Sequence, residues 1–241
     1  MKKIQMVDVV AQYNKYESAI NKRISAVLQS GSYIQGPEVK NFELLLSKYL
    51  DVEHVISCAN GTDALCLALM SLDLQPGDEV IVPTFTFVST VEAVCLSGFK
   101  PIFVDVDPDT FLLNPQLIKD AISNKTKAII PVHLFGQCCD MEQLVLIAKK
   151  HDLFIIEDAA QSISSKIIIN NRRLNSGTLG DIGCTSFFPT KNLGCFGDGG
   201  AVITNNKKIA QKIKMLRNHG QEKKYFHKII GFNSRLDTIQ A

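Results

Sequence analysis

The chain has 241 residues, of which 46% are hydrophobic and 21% charged, a balance that excludes intrinsic disorder and allows one large α/β domain or one domain and part of another. Basic residues exceed acidic ones by 26 − 24 = 2, and no dense basic block occurs, so nucleic acid has no electrostatic footprint to meet. The seven cysteines are odd in number and form no CxxC pair, which argues for a reducing compartment without a disulfide framework or a metal site.

The opening stretch MKKIQMVDVVAQYNKYESAINKR lacks the apolar core of a secretory leader, and no run approaches the roughly 18–20 residues of a membrane span. A soluble, cytoplasmic protein is therefore expected. A helix is predicted from Lys15 to Gln29, a turn at GSYIQGPE, and a second helix from Val39 to Tyr49, where Glu38 suits the helix dipole. Residues 1–50 are read as an N-terminal helical segment and 51–241 as the body of the same domain.

From His54 onward, short β-branched runs alternate with amphipathic stretches. HVISC, DEVIVP, KPIFVDV, KAIIPVHLF and FIIED read as strands, and their near-continuous apolar character predicts burial on both faces. TDALCLALMSL, TVEAVCLSG, NPQLIKDAIS and MEQLVLIAKKH read as the helices between them. This alternation predicts βαβ units around a mostly parallel sheet. DIGCTSFFPTKNLGCFGDGGAVITN reads instead as short strands around a Gly-rich turn. Lys207, Lys208, Lys212, Lys214, Lys223, Lys224 and Lys228 read as a solvated face. The last residues, GFNSRLDTIQA, resemble an amphipathic helix with nothing to close it, so a truncated chain is expected.

Three segments carry chemistry. Cys58–Ala64 (CANGTDA) follows a strand and opens a helix, an arrangement that either cradles an anion or is an ordinary helix start capped by Asn60 or Thr62. Phe154–Gln161 (FIIEDAAQ) ends a buried strand with two carboxylates, which either meet a cationic ligand nitrogen or cap the next turn. Ser186–Gly200 (SFFPTKNLGCFGDGG) sets one lysine among apolar residues, Pro and glycines. Desolvation there would make the amine nucleophilic towards carbonyls, and the glycines would let the backbone approach a flat ligand. The alternative is a hairpin with an exposed lysine at its tip. Phosphate cradle, strand-end carboxylate and nucleophilic lysine together are what pyridoxal 5′-phosphate requires.

The motifs SGSYIQGPEVKNFE, NGTDAL, DEVIVPTFTFVST, PVHLFGQCCDM, EDAAQS, SFFPTKNLGCFGDGGAV, RNHGQ and GFNSRLDTIQA span essentially the whole chain. In these the sequence resembles the sugar aminotransferases of the DegT/DnrJ/EryC1/StrS group, within the fold-type-I pyridoxal-phosphate superfamily. The resemblance implies a three-layer α/β large domain with a mostly parallel, mixed central sheet, and a smaller C-terminal domain that this chain lacks. It implies that Lys191 forms the Schiff base with the cofactor and shuttles protons, that Asp158 pairs with the ring nitrogen, and that Gln161 approaches the ring's phenolic oxygen. Gly61, Thr62 and Ser186 would hold the phosphate. Phe87, in preference to Phe85, would stack on the ring, and Asn233 would reach the phosphate of a neighbour across a homodimer interface.

Related dehydratases carry histidine at the lysine position, so Lys191 favours transamination from L-glutamate to a keto group on a nucleotide-linked sugar. The branch resembled most acts on a UDP-linked 2-acetamido-3-keto hexuronate for lipopolysaccharide O-antigen. Alternatives are a 3- or 4-keto-6-deoxy sugar nucleotide, a truncated cofactor-binding or dimerising chain without catalysis, and a regulator. His133, His219 and Arg235 are candidate contacts for an acidic sugar or a diphosphate, or else satisfied structural residues.

Overall fold

The computed structural model describes residue 4 and residues 6–241. Met1–Lys3 and Gln5, part of the stretch read as lacking a leader, lie outside the described residues. Helix α1 (Val9–Ser30) starts earlier than its apolar spacing suggests, because the Asp8 side chain accepts the Ala11 N–H at 2.9 Å and caps it; left-handed Gly31 ends it. Helix α2 (Pro37–Leu50) opens with proline, whose missing N–H costs nothing in a first turn.

The alternating pattern then produces β1 (His54–Cys58), α3 (Gly61–Ser71), β2 (Glu79–Pro83), α4 (Ser89–Leu96), β3 (Lys100–Val104), α5 (Pro115–Ala121), β4 (Thr126–Ile129), α6 (Met141–His151) and β5 (Phe154–Asp158). A hairpin of β6 (Lys166–Ile169) and β7 (Arg172–Asn175) precedes β8 (Ile182–Ser186), β9 (Gly200–Thr204) and α7 (Lys207–Leu216). A second small hairpin pairs β10 (Gln221–Lys223) with β11 (Phe226–His227).

Seven strands form one sheet in the order β1-β9-β8-β5-β4-β2-β3. Only β9 runs against the others, since it pairs antiparallel with both β1 and β8 while the remaining pairs are parallel. The sheet is mixed and mostly parallel, and helices cover both faces. Ile56, Val80, Ile156 and Val202 pack under α3, α4 and α7; Ile81, Ile129 and Ile155 pack under α5 and α6; and α2 covers Val55 and Ile203. That is the three-layer α/β architecture.

Four expectations need correction. KAIIPVHLF does not continue as a strand: β4 stops at Ile129, Pro131 has no N–H to give, and Leu134–Gly136 forms a short 3-10 turn. Burial on both faces fails at β3, the sheet edge, where Phe103 is 55% exposed. The β6–β7 hairpin has no counterpart in the expected elements. Residues 231–241 are not a helix but bridges and one turn, because Asn233 pairs with Asn218, Asp237 pairs with Ile34, and Thr238 donates to Tyr33 O at 2.9 Å. No helix of the described residues is long and apolar enough to cross a membrane.

Candidate active site

The parallel strands all end at one sheet edge, where ligands of α/β proteins gather. There Cys58 closes β1, Ser186 closes β8, and Gly200 opens β9 in register with both. A side chain at Gly200 would collide with the Asn60 carbonyl, and a Cβ on Gly61 would come within 2.8 Å of Ser186 Cβ. These two glycines therefore let the start of α3 sit directly against β8 and β9. Asn60 caps α3 by accepting the Asp63 N–H at 2.8 Å. The first-turn N–H groups of Gly61 and Thr62 are left without intrahelical partners, beside the Ser186 hydroxyl.

Asp158 ends β5 and is 5% exposed. Thr90 Oγ1 donates to its Oδ2 at 2.9 Å and Ala160 N–H to its Oδ1 at 3.2 Å, and no ion pair reaches it among the described residues. Burial raises its pKa above the usual carboxylate value, against the lowering effect of those two donors. Thr90 sits on α4 and meets Thr86 Oγ1 at 2.9 Å.

Lys191 lies in the long connection from β8 to β9. Phe187 N–H bonds to Gly199 O at 2.7 Å, Cys195 N–H to Phe187 O at 2.8 Å, and Lys191 N–H to Phe188 O at 2.8 Å. The glycines of this loop serve the protein's own packing, with Gly194 pressed on the Pro189 backbone and Gly199 on Leu236 and Phe187, which corrects the expectation that they admit a flat ligand. The Lys191 amine is half-buried, and burial lowers its pKa despite the opposing attraction of Asp158.

A cavity of about 710 Å³ joins these parts: Gly61, Thr62, Phe87, Asp158, Gln161, Ser186 and Lys191 all line it. Gln161 Oε1 accepts the Phe135 N–H at 3.0 Å, which leaves its amide N–H groups for other partners. Phe87 is 69% exposed at the cavity, whereas Phe85 does not line it and meets Phe111 with tilted rings, centroids 5.3 Å apart. Asn233 lies outside the cavity, exposed and paired through its backbone with Asn218.

The three candidate sugar contacts do not line the cavity. His133 is fully buried against Glu157 at 2.7 Å. Arg235 binds Asn218 Oδ1 at 3.0 Å, and His219 is an exposed left-handed turn residue. Thr90, the one side chain bonded to Asp158 among the described residues, is not marked by the sequence motifs; only its place after β2, in a helix start facing the same edge, could have marked it.

The arrangement offers unpaired N–H groups and hydroxyls for a dianion, a buried unpaired carboxylate for a cationic nitrogen, and a desolvated amine for a carbonyl. Comparison with known proteins gives the same direction. The sequence model of the DegT/DnrJ/EryC1/StrS aminotransferase family matches residues 14–241. A Pseudomonas aeruginosa protein named UDP-2-acetamido-2-deoxy-3-oxo-D-glucuronate aminotransferase is 48% identical over 99% of this chain and 65% of its own length. An Acidithiobacillus ferrooxidans protein named UDP-N-acetyl-3-dehydro-alpha-D-glucosamine 3-aminotransferase is 47% identical over 99% of this chain and 63% of its own. The crystal structure of ntda from Bacillus subtilis with bound cofactor pmp superposes with a TM-score of 0.92 at 38% identity, over 100% of this chain and 54% of that one. The chain thus spans 65% or less of the length of each of these relatives.

Proposed function

Because the chain belongs to the DegT/DnrJ/EryC1/StrS aminotransferase family, we propose that it is the cofactor-binding part of a pyridoxal-phosphate-dependent transaminase. It would move an amino group from L-glutamate to the keto group of a nucleotide-linked sugar. The observation that carries this reading is the single cavity in which Lys191, Asp158 and the start of α3 meet. When bound, pyridoxal 5′-phosphate supplies a carbonyl that can carry the amino group and a protonated ring that withdraws electrons.

The residues present fit that group. Gly61, Thr62 and Ser186 would hold its phosphate, where the α3 dipole favours an anion. Asp158, without a cationic partner among the described residues, would pair with the ring nitrogen and keep it protonated. Gln161 would donate to the ring oxygen, and Phe87 would cover the ring. Lys191 Nζ would anchor the cofactor's carbonyl carbon and then move a proton as general base and acid. Burial suits it to both tasks, since an amine with a lowered pKa is more often free of its proton at neutral pH.

The finer reading is a UDP-2-acetamido-2-deoxy-3-oxo-hexuronate acceptor in cytoplasmic synthesis of cell-surface polysaccharide such as lipopolysaccharide O-antigen. The name of the P. aeruginosa relative supports it. It includes a homodimer in which Asn233 reaches the partner's phosphate site, supported by the exposure of Asn233 and by the apolar Leu44, Leu45 and Tyr49 on α2. Residues 1–50 and 51–241 would then be the helical N-terminal segment and the body of one large domain.

Absorbance of the purified chain with pyridoxal phosphate, before and after glutamate, tests this reading. A visible band that glutamate bleaches is expected. A protein that stays colourless in excess cofactor would overturn it.

A further inference from the structure

Two adjacent carboxylates end β5, and strand alternation sends them to opposite faces of the sheet. Asp158 faces the cavity. Glu157 shares a face with Ile155, under α6, and is 0% exposed. Its Oε1 accepts the N–H groups of Leu179 and Gly180, both at 2.6 Å, and its Oε2 accepts Gly177 N–H at 2.9 Å and meets His133 Nε2 at 2.7 Å. His133 Nδ1 accepts the Cys139 N–H at 3.1 Å, so Nε2 carries the proton towards Glu157.

His133 stands between Val132 and Leu134, which both line the cavity. Its backbone N–H donates to Asp158 O at 3.0 Å. The turn continues through Phe135, a non-glycine residue held left-handed at φ 53°. Such a conformation persists only where its surroundings over-determine it. The N–H of Phe135 holds the Gln161 carboxamide, and Ser165 Oγ fixes Gly136 O at 2.6 Å.

We propose that Glu157 and His133 are a positioning pair: from the sheet face opposite the cavity they set the Val132–Gly136 turn and, through the Phe135 amide, aim Gln161 at the cofactor ring. This rests on the cofactor reading above, and neither residue touches the cofactor itself.

A double-mutant cycle on pyridoxal-phosphate affinity tests it. Glu157→Gln turns an amide N–H₂ towards Gly177 N–H and His133 Nε2–H, setting donor against donor. Glu157→Gln and Gln161→Ala are each expected to weaken binding about tenfold, and the double variant no further than the weaker single one. If Glu157→Gln lowers only the unfolding midpoint and leaves affinity within about twofold, or if the two losses multiply, the pair is merely structural and the proposal fails. Amide exchange on the wild-type chain without cofactor decides the matter should the variant not fold. The Phe135 amide is expected to be protected at least about tenfold over an open chain, and exchange at the open-chain rate would break the proposed link. Failure of the wild-type chain to take up pyridoxal phosphate would instead overturn the cofactor reading, while leaving the exchange result standing.

Discussion

Lys191 and Asp158 are both pushed by burial towards their uncharged forms, and each shift has a pH signature. The folded Lys191 pKa lies below the ordinary 10.5, so folding expels a proton between the two values and stability rises with pH through that window. For Asp158 the folded pKa lies above 3.8. Stability therefore falls as pH rises from the unfolded to the folded value, and the cost is fully present above it. Asp158→Asn removes that cost. Thermal unfolding of the cofactor-free variant is expected to gain on wild type as pH rises above the ordinary carboxylate value of 3.8, while its response to pyridoxal phosphate and glutamate is lost. A variant that trails wild type equally at every pH would show that the hydrogen bonds from Thr90 and Ala160 fully offset the burial of the carboxylate. Lys191→Ala should abolish the visible band while leaving the far-ultraviolet circular dichroism unchanged, because the side chain is bound to nothing in the core.

At the scale of elements, the site depends on how closely α3 approaches β8 and β9. The Asn60 cap and the bare Cα atoms of Gly61 and Gly200 permit that approach. Asn60→Ala is expected to lower the unfolding free energy by about 1 kcal/mol in urea titrations, the usual cost of a lost cap. Gly200→Ala should cost about 1–3 kcal/mol, since its Cβ has backbone rather than a flexible side chain to displace. The two strand-end carboxylates make the same point from another side. In sequence Glu157 and Asp158 are equivalent neighbours. In the sheet one faces the cavity and the other is sealed behind it by four hydrogen bonds.

For the whole molecule, the shared-site homodimer makes a prediction that needs two variants. If Asn233 serves the neighbouring subunit, Lys191→Ala and Asn233→Ala chains damage different halves of each site. Mixing them after partial unfolding should create one intact site in each mixed dimer, and the glutamate-bleachable band lost in Lys191→Ala should return in part. No recovery on mixing, with dimers present by light scattering, would place Asn233 in its own chain's site, and an Asn233→Ala chain that keeps the full band by itself would place it in none.

Much of this protein is legible along the chain because parallel βαβ units write themselves locally. Buried strands such as HVISC and FIIED are short, β-branched and sharply bounded, and MEQLVLIAKKH carries a complete helical period; all three occur with the expected limits. The cofactor-like set was legible too, because a lysine, a strand-end carboxylate and a capped helix start are distinct chemical types in a fixed chain order. Their meeting was not legible. It required β9 to turn back between β1 and β8, a long-range pairing that local pattern does not encode. The fate of His133 was likewise a tertiary decision. A histidine after a strand can face ligand or core, and only the alternation of β5, which brought Glu157 to the sealed face, turned it inward. GFNSRLDTIQA has a helix's spacing, but its backbone bonds go to Tyr33 and Arg217, partners some 200 and 17 residues distant for Thr238 and Ser234. Composition and periodicity determined the elements and the kind of chemistry, because both are local; the sheet order determined which side chains share a cavity, because hydrogen bonds between distant strands choose it.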